Sequence, residues 1–273
     1  LYKDGVEMPE DSYHGEDIVD HAKAFAEVYG DKYVNADDDE RKKALVEFAL
    51  PKNIEALERD LKKYRIVYDR WFRESELYEN GQAQKVVEML TNSGYTYERE
   101  GAVWFKATEF GCEKDFVLVR SNGLFTYVVP DIAYHYNKLV TRGYDRAIDV
   151  LGADHHGYVP RLKGALTALG VDADKLDAVI IQMVRLIKDG EVTKQSKRSG
   201  KAITLVTLLD EVPIDAARFF FNMREPNSHF DFDLDLAVSQ TNQNPVYYVQ
   251  YAHARICSIL SGLKAENVPV ARD

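Results

Sequence analysis

The chain has 273 residues, 45% of them hydrophobic, which is enough to bury one large core or two smaller ones. Its formal charge of −10 argues against a general nucleic-acid-binding protein, because a phosphate backbone requires a basic surface. No apolar run is long enough to span a bilayer, and no segment resembles a signal peptide, which argues against a membrane protein. Cys112 and Cys257 are far apart in the sequence, which predicts free thiols in the reducing cytoplasm and no metal site.

Charge is unevenly distributed along the chain. Acidic residues crowd the first forty positions, and basic residues gather between Arg185 and Lys201. A local contact with RNA therefore remains compatible with the acidic average. The chain begins at Leu1, within a polar segment, which predicts a piece of a longer protein.

Residues 1–124 are predicted to form a module of helices and a small sheet. Apolar residues at helical spacing predict a helix over 16–30. A second helix begins near Asp38, and Pro51 is expected to break or kink it. The other predicted elements are a strand over 66–72, a helix after Asn80-Gly81, and strands over 95–98, 102–106, 116–120 and 124–128.

Residues 125–204 alternate between apolar strands and helices, which is typical of an α/β fold with parallel strands buried on both faces. The predicted strands span 125–128, 147–151 and 178–184, and the predicted helices span 130–142 and 156–169. Further helices are expected around 205–211, 213–222, 235–242 and 246–263. The predicted domains are 1–124, 125–204, a helical connecting segment over 205–243, and the start of another helical domain over 244–273.

A cationic segment, residues 194–201 (KQSKRSGK), follows a predicted strand and a Lys188-Asp189-Gly190 turn. The ammonium groups of Lys194 and Lys197, with Ser196 between them, can balance the charge that builds on a leaving pyrophosphate. The glycine that follows lets such a loop close. A solvated basic hairpin is the alternative, and it explains the segment better when the segment is taken by itself.

The segment 152–157 (GADHHG) follows a predicted central strand, at the sheet edge where open α/β folds bind ligands. Gly152 lets a nucleotide approach the backbone, and Asp154 can accept hydrogen bonds from ribose hydroxyls. A structural turn capped by Asp154 is the alternative. A metal site on His155 and His156 is disfavoured, because adjacent histidines point apart and no carboxylate follows at metal-binding spacing.

Tyr127 and Asp131 lie where another predicted strand gives way to a helix. Together they can line a pocket for a planar guanidinium group, which favours a carboxylate partner and an aromatic phenol. The alternative for Asp131 is a favourable interaction with the helix dipole, and this explains Asp131 better when it is considered alone. The aromatic helix over 244–256 is expected to pack against other helices, with stacking on single-stranded RNA as the alternative.

Six segments in sequence order resemble the arginyl-tRNA synthetases, a family of class I aminoacyl-tRNA synthetases. The resemblance covers nearly the whole chain, and the order of the segments makes it specific. The segments are 127–135 (YVVPDIAYH), 151–161 (LGADHHGYVPR), 183–201, 215–221 (DAARFFF), 230–236 (FDFDLDL) and 244–256 (NPVYYVQYAHARI).

This resemblance implies activation of L-arginine by ATP with Mg²⁺, followed by transfer of the arginyl group to its tRNA, in a cytoplasmic monomer. It implies the second half of a Rossmann-like nucleotide fold, preceded by an insertion module and followed by helices. The implied sites are Tyr127, Asp131 and His155 for arginine, Gly152, Asp154, His156, Met183 and Val184 for ATP, and Lys194, Ser196 and Lys197 for catalysis.

The chain departs from the family pattern in two places. Gln195 and Arg198 replace the methionine and the final serine of the Lys-Met-Ser-Lys-Ser loop, while both lysines remain. The family's His-Ile-Gly-His motif is absent, so this piece alone is expected to be inactive. The rival hypotheses are a different adenylate-forming nucleotidyl transferase and a non-catalytic module that contacts RNA or acts as a scaffold.

Overall fold

A computed structural model describes residues 15–193 and 204–266. Two compact units divide the chain. The first contains residues 1–68, 185–223 and 231–273, and the second contains residues 69–184 and 224–230. Within the described ranges, no helix is both long enough and apolar enough to cross a membrane. The same ranges contain no cluster of three or more metal-ligating side chains.

The described helices are α1 (Glu16–Tyr29), α2 (Asp38–Lys63), α3 (Ser75–Glu79), α4 (Gln82–Asn92), α5 (Val128–Tyr136), α6 (Val159–Ala168), α7 (Leu205–Glu211), α8 (Ile214–Asn222), α9 (Leu234–Val238) and α10 (Pro245–Ala265). The described strands are β1 (Thr96–Arg99), β2 (Ala102–Phe105), β3 (Phe116–Val119), β4 (Ala147–Gly152), β5 (Leu176–Ile181), β6 (Val184–Lys188), β7 (Glu191–Val192) and β8 (Phe230–Asp233).

The helices of the first unit begin and end largely where the sequence predicts. Gly30, at a φ of 54°, ends α1 in a conformation that glycine adopts without strain. Pro51 was predicted to break or kink the second helix; the break does not occur, because α2 continues from Asp38 to Lys63 with Pro51 inside it, and the kink stays a prediction. Proline removes only one of the hydrogen bonds of this 26-residue helix, and the helix continues on both sides of it.

The start of α2 is capped by a side chain. Asp37 accepts hydrogen bonds at Oδ1 from the main-chain nitrogens of Asp39 (3.0 Å) and Glu40 (2.9 Å). We expect Asp37→Ala to lower the free energy of unfolding by about 1 kcal/mol, as for other helix caps. Thermal unfolding followed by circular dichroism measures this loss. Asp37→Asn keeps an accepting oxygen and should be nearly neutral, so an equal loss in both variants would contradict the cap.

The rest of the first unit brings distant segments together. The Arg218 guanidinium donates to the main-chain oxygen of Tyr64 at 2.8 Å, which joins α8 to the end of α2. Phe220 and Phe232 are buried, with ring centroids 5.5 Å apart. Strands β7, β6 and β8 lie side by side in that order. Most aromatic side chains of α10 were expected to pack, but Tyr248 and Tyr251 are exposed.

The second unit has one continuous core that includes parts of two predicted domains. Buried residues of α3, α4, β2 and β3, such as Leu90 and Phe105, share this core with Ile132 of α5 and Leu166 of α6. Strands β1, β2 and β3 form an antiparallel sheet, and β4 pairs in parallel with β5. The two compact units therefore do not coincide with the predicted domains. The predicted domain boundaries stay a prediction.

Three strand predictions are wrong in this part of the chain. Residues 66–72 contain no strand, and Val67 and Tyr68 are exposed. Residues 124–128 form only a single bridge, between Phe125 and Val119, before α5 begins. The apolar run over 178–184 is divided between β5 and β6. A segment of high β propensity forms a strand only where a partner strand pairs with it. In the described ranges, no partner strand pairs with any of these three runs along its whole length.

The parallel pair is not buried on both faces, contrary to the prediction. Ala147 and Leu176 belong to the core of the unit, whereas Ile148 and Val150 are more than half exposed. The side chains along β4 therefore alternate between more buried and exposed positions, as in a strand that is covered on one face only. The covered face is the one that packs against the helices of the same core.

Candidate functional site

Residues of the second unit that follow β4 and β5 lie at one sheet edge. The two strands pair in parallel up to Gly152, which lies opposite Ile181. The segments containing Asp154 and Met183 therefore leave the sheet at the same carboxyl edge. The family resemblance predicts ATP-binding residues in both segments. Met183 is 70% exposed. The main-chain nitrogen of the preceding residue, Gln182, donates a hydrogen bond to the main-chain oxygen of Pro226 at 2.8 Å.

Gly152 lies close to the side chain of Asp154 in the turn after β4. A Cβ atom on Gly152 would lie only 2.7 Å from Asp154 Oδ1, so any larger residue would displace that carboxylate. Residues Ala153–His155 form a short 3-10 turn, and α6 begins only at Val159, three residues later than predicted. The carboxylate of Asp154 does not cap α6, whose first turn has no side-chain cap. The Asp154 side chain is exposed at the sheet edge, with its Oδ2 atom 3.8 Å from His155 Nε2.

Tyr158, to which the sequence analysis assigned no role, joins the three residues predicted to bind arginine. Its hydroxyl donates a hydrogen bond to Asp131 Oδ2 at 2.5 Å. Its ring centroid lies 5.5 Å from that of Tyr127 and 6.1 Å from that of His155. Tyr127 and Asp131 therefore each contact Tyr158, a residue of the neighbouring segment.

A cavity of about 200 Å³ opens beside these tyrosines. Its lining includes Thr126, Tyr127, Tyr158 and Arg161. Tyr127 is at the start of α5 in a helical conformation, not at the end of a strand as predicted. Its side chain is 65% exposed, so the phenol is accessible to a ligand. Asp131 lies in the first turn of α5, as expected.

Asp131 and Asp149, the two carboxylates around α5, differ in their partners. Asp149 Oδ2 lies 2.6 Å from His135 Nε2, and Asp149 Oδ1 accepts from Lys138 Nζ at 2.9 Å, so the carboxylate has two basic partners. Asp131 is partly buried, and the structure shows no ion pair for it among the described residues. A partly buried carboxylate without a cation is suited to receive one from a ligand.

The main chain of Asp131 is also fixed. His135 Nδ1 lies 2.7 Å from the Asp131 main-chain oxygen, and His135 is buried. His135 therefore links the turn that carries Asp131 to Asp149 on β4. The histidine gave no clear signal in the sequence, because its role depends on a residue fourteen positions away.

Among the described residues, neither His156 nor Val184 contacts this cluster. His156 is exposed, and Val184 begins β6. Lys194, Ser196 and Lys197 lie outside the described residues. The Lys188-Asp189-Gly190 turn that precedes them is present between β6 and β7, with both Asp189 and Gly190 at positive φ.

Comparison with known proteins gives concordant results. Residues 14–256 match the family model of class I tRNA synthetases (R), catalytic domain. The chain is 60% identical, over 268 residues, to an arginine–tRNA ligase of Caldanaerobacter subterraneus, covering 96% of this chain and 48% of that protein. It is 51% identical to an arginine–tRNA ligase of Bacillus subtilis, covering 97% and 48%. The chain thus spans about half the length of these relatives.

Solved structures give the same picture. A structure assigned as an arginyl-tRNA synthetase from Campylobacter jejuni has a TM-score of 0.85 and 36% identity, covering 95% of this chain and 56% of that one. The Thermus thermophilus arginyl-tRNA synthetase has a TM-score of 0.69 at 22% identity, covering 96% and 55%, and supports the fold alone.

Proposed function

Because the chain belongs to the family of class I arginyl-tRNA synthetase catalytic domains, we propose that it supplies the arginine-binding half of an arginine–tRNA ligase. The observation that carries this proposal is the partly buried Asp131 carboxylate, which accepts a hydrogen bond from Tyr158 and has no ion pair among the described residues, while the Tyr127 ring lies beside that of Tyr158. A guanidinium group matches this arrangement, since it pairs with a carboxylate and stacks on an aromatic ring.

The proposed reaction has two steps. The carboxylate of arginine attacks the α-phosphate of ATP, supplied with Mg²⁺, to form arginyl-adenylate and release pyrophosphate. A ribose hydroxyl at the end of the tRNA then attacks the adenylate carbonyl and releases AMP. In this proposal Tyr127, Asp131 and His155 hold the arginine side chain. No covalent intermediate with the protein is needed, because positioning and electrostatics account for the rate.

The nucleotide is proposed to bind at the carboxyl edge of β4 and β5. Gly152, Asp154 and His156 would contact the ribose, and the main chain at Met183 and Val184 would contact adenine. Both segments leave the sheet beside each other, which supports a shared ligand. Lys194, Ser196 and Lys197 are proposed to stabilise the leaving pyrophosphate in the cytoplasmic enzyme, which we propose acts as a monomer.

Arginine-dependent exchange of pyrophosphate into ATP tests this function. We define the complete protein as this chain extended to the full length of its relatives. The complete protein should exchange with L-arginine but not with L-lysine, whose ammonium group lacks the planar donor array. The 273-residue chain alone should show no exchange, because it lacks the His-Ile-Gly-His motif.

Two outcomes would contradict these expectations separately. Exchange by the 273-residue chain alone would show that the missing motif is not required. Absence of arginine-dependent exchange in the complete protein, while ATP still binds, would contradict the arginine assignment and favour a different adenylate-forming enzyme.

A further inference from the structure

Tyr158 makes the most contacts with the predicted arginine pocket. Its hydroxyl bonds to Asp131, and its ring lies against those of Tyr127 and His155. It also lines the cavity beside Tyr127. No other described residue is shown in contact with all three of these side chains. A residue in this place affects how the pocket is arranged even when it does not bind the ligand itself.

The hydrogen bond of Tyr158 has a fixed direction. Burial, followed by the hydrogen bond and charge of Asp131, raises the pKa of Tyr158 far above its usual value. The phenol therefore keeps its proton over the whole range in which the protein works, and it donates to Oδ2 of Asp131. A carboxylate that is held at one oxygen no longer rotates freely, so its second oxygen has a defined direction.

Asp131 is left with one oxygen for a ligand. Among the described residues, no hydrogen bond to Oδ1 is present, whereas Oδ2 is occupied by Tyr158. The backbone of Asp131 is fixed independently through His135. Side-chain rotation is therefore the freedom that remains for this carboxylate, and Tyr158 is the group that restricts it.

We propose that Tyr158 is a positioning residue for arginine: it holds the Asp131 carboxylate in the orientation that receives the guanidinium group. This inference rests on the proposed function, since it names a residue that acts through the same pocket. Pre-organisation of the carboxylate increases arginine affinity, because the rotation is already restricted before the ligand binds. It leaves the chemical step unchanged, because the guanidinium group lies away from the reacting carboxylate of arginine.

Tyr158→Phe in the complete protein tests the proposal, because it removes the hydroxyl and keeps the ring. The KM for arginine in the exchange reaction should rise about tenfold, the scale of one hydrogen bond to a charged group. The kcat and the KM for ATP should stay within about twofold. Tyr97→Phe is the matched control: Tyr97 also donates to an aspartate, Asp115, at 3.2 Å in the same unit, and its variant should leave all three constants unchanged.

A double-mutant cycle separates positioning from a general structural role. If Tyr158 acts through Asp131, Tyr158→Phe should have less than about a twofold effect on arginine KM once Asp131→Asn is present. A tenfold effect that persists in that background, or a loss of kcat together with ATP binding, would overturn the proposal. An unchanged arginine KM in Tyr158→Phe, alongside a large effect of Asp131→Asn, would overturn it while leaving the proposed function intact. If neither variant changes arginine KM, the proposed function itself fails.

Discussion

Asp131→Asn in the complete protein is expected to weaken L-arginine binding about a hundredfold while ATP binding stays unchanged. Asparagine keeps the size of the side chain and one accepting oxygen, but it removes the negative charge that faces the guanidinium group. Removing one partner of a desolvated charge pair costs about 2–5 kcal/mol, because the other charge is left without compensation.

Equilibrium titrations with L-arginine and with ATP measure the two affinities independently. Asp145→Asn is a suitable control, because Asp145 is an exposed aspartate in the same unit and its substitution changes the net charge by the same amount. Its arginine affinity should equal that of the unmodified protein. If Asp131→Asn binds arginine as tightly as the control, the guanidinium assignment is wrong and a nucleotidyl transferase with another substrate becomes the better hypothesis.

Asp149→Asn is expected to lower the free energy of unfolding of the second unit by about 3–5 kcal/mol at pH 7. The carboxylate accepts a hydrogen bond from Lys138 and lies 2.6 Å from His135 Nε2, and its side chain is only 15% exposed. An asparagine would leave the Lys138 charge without a counterion. The network also links β4 to α5, so its loss affects the core of the unit.

The effect of Asp149→Asn should depend on pH in a defined direction. Burial opposes ionisation of Asp149, but hydrogen bonds and charge from His135 and Lys138 outweigh it and lower the pKa of the carboxyl group. A lowered pKa contributes stability above the unfolded value, about 4, and this contribution is lost as the pH falls through the folded value. The difference between the unmodified chain and the variant should therefore be full at pH 7 and shrink below about pH 4.

Urea unfolding followed by tryptophan fluorescence measures this difference. The two tryptophans of the chain, Trp71 and Trp104, both lie in the second unit, so the signal reports that unit. Asp177→Asn is the matched control, since Asp177 pairs with Arg146 at the surface, where water screens the interaction. Equal effects of the two substitutions, or a difference that grows at low pH, would contradict a stabilising buried network.

Much of the secondary structure follows from local signals. Apolar spacing gives α1 and α4, and the glycines that follow α1 and α6 mark their ends because they adopt positive φ without strain. The strands β1 to β3 are short segments between turns, and these were predicted within one or two residues. Such signals depend on neighbours within a few positions, which the sequence displays directly.

Strand assignments that depend on a distant partner fail. The run over 66–72 has the composition of a strand, but in the structure it has no pairing strand in the described ranges. The apolar run over 178–184 contains the end of one strand and the start of another, and only pairing with β4 shows where the first one stops. Composition indicates that a segment suits a sheet, whereas pairing decides whether it joins one.

In the candidate site, the residue types can be recognised from the sequence alone: a tyrosine and an aspartate four positions apart, and a glycine-rich turn after an apolar strand. Their contacts depend on how the chain folds. Tyr158 reaches Asp131 from 27 positions away, and Asp149 meets His135 across 14 positions. Hydrogen bonds over such separations form only when helices pack on a shared core, so no local pattern encodes them. Sequence patterns therefore indicate candidates such as Tyr127 and Asp131, whereas the packing of α5 and α6 on a shared core determines how these side chains are oriented.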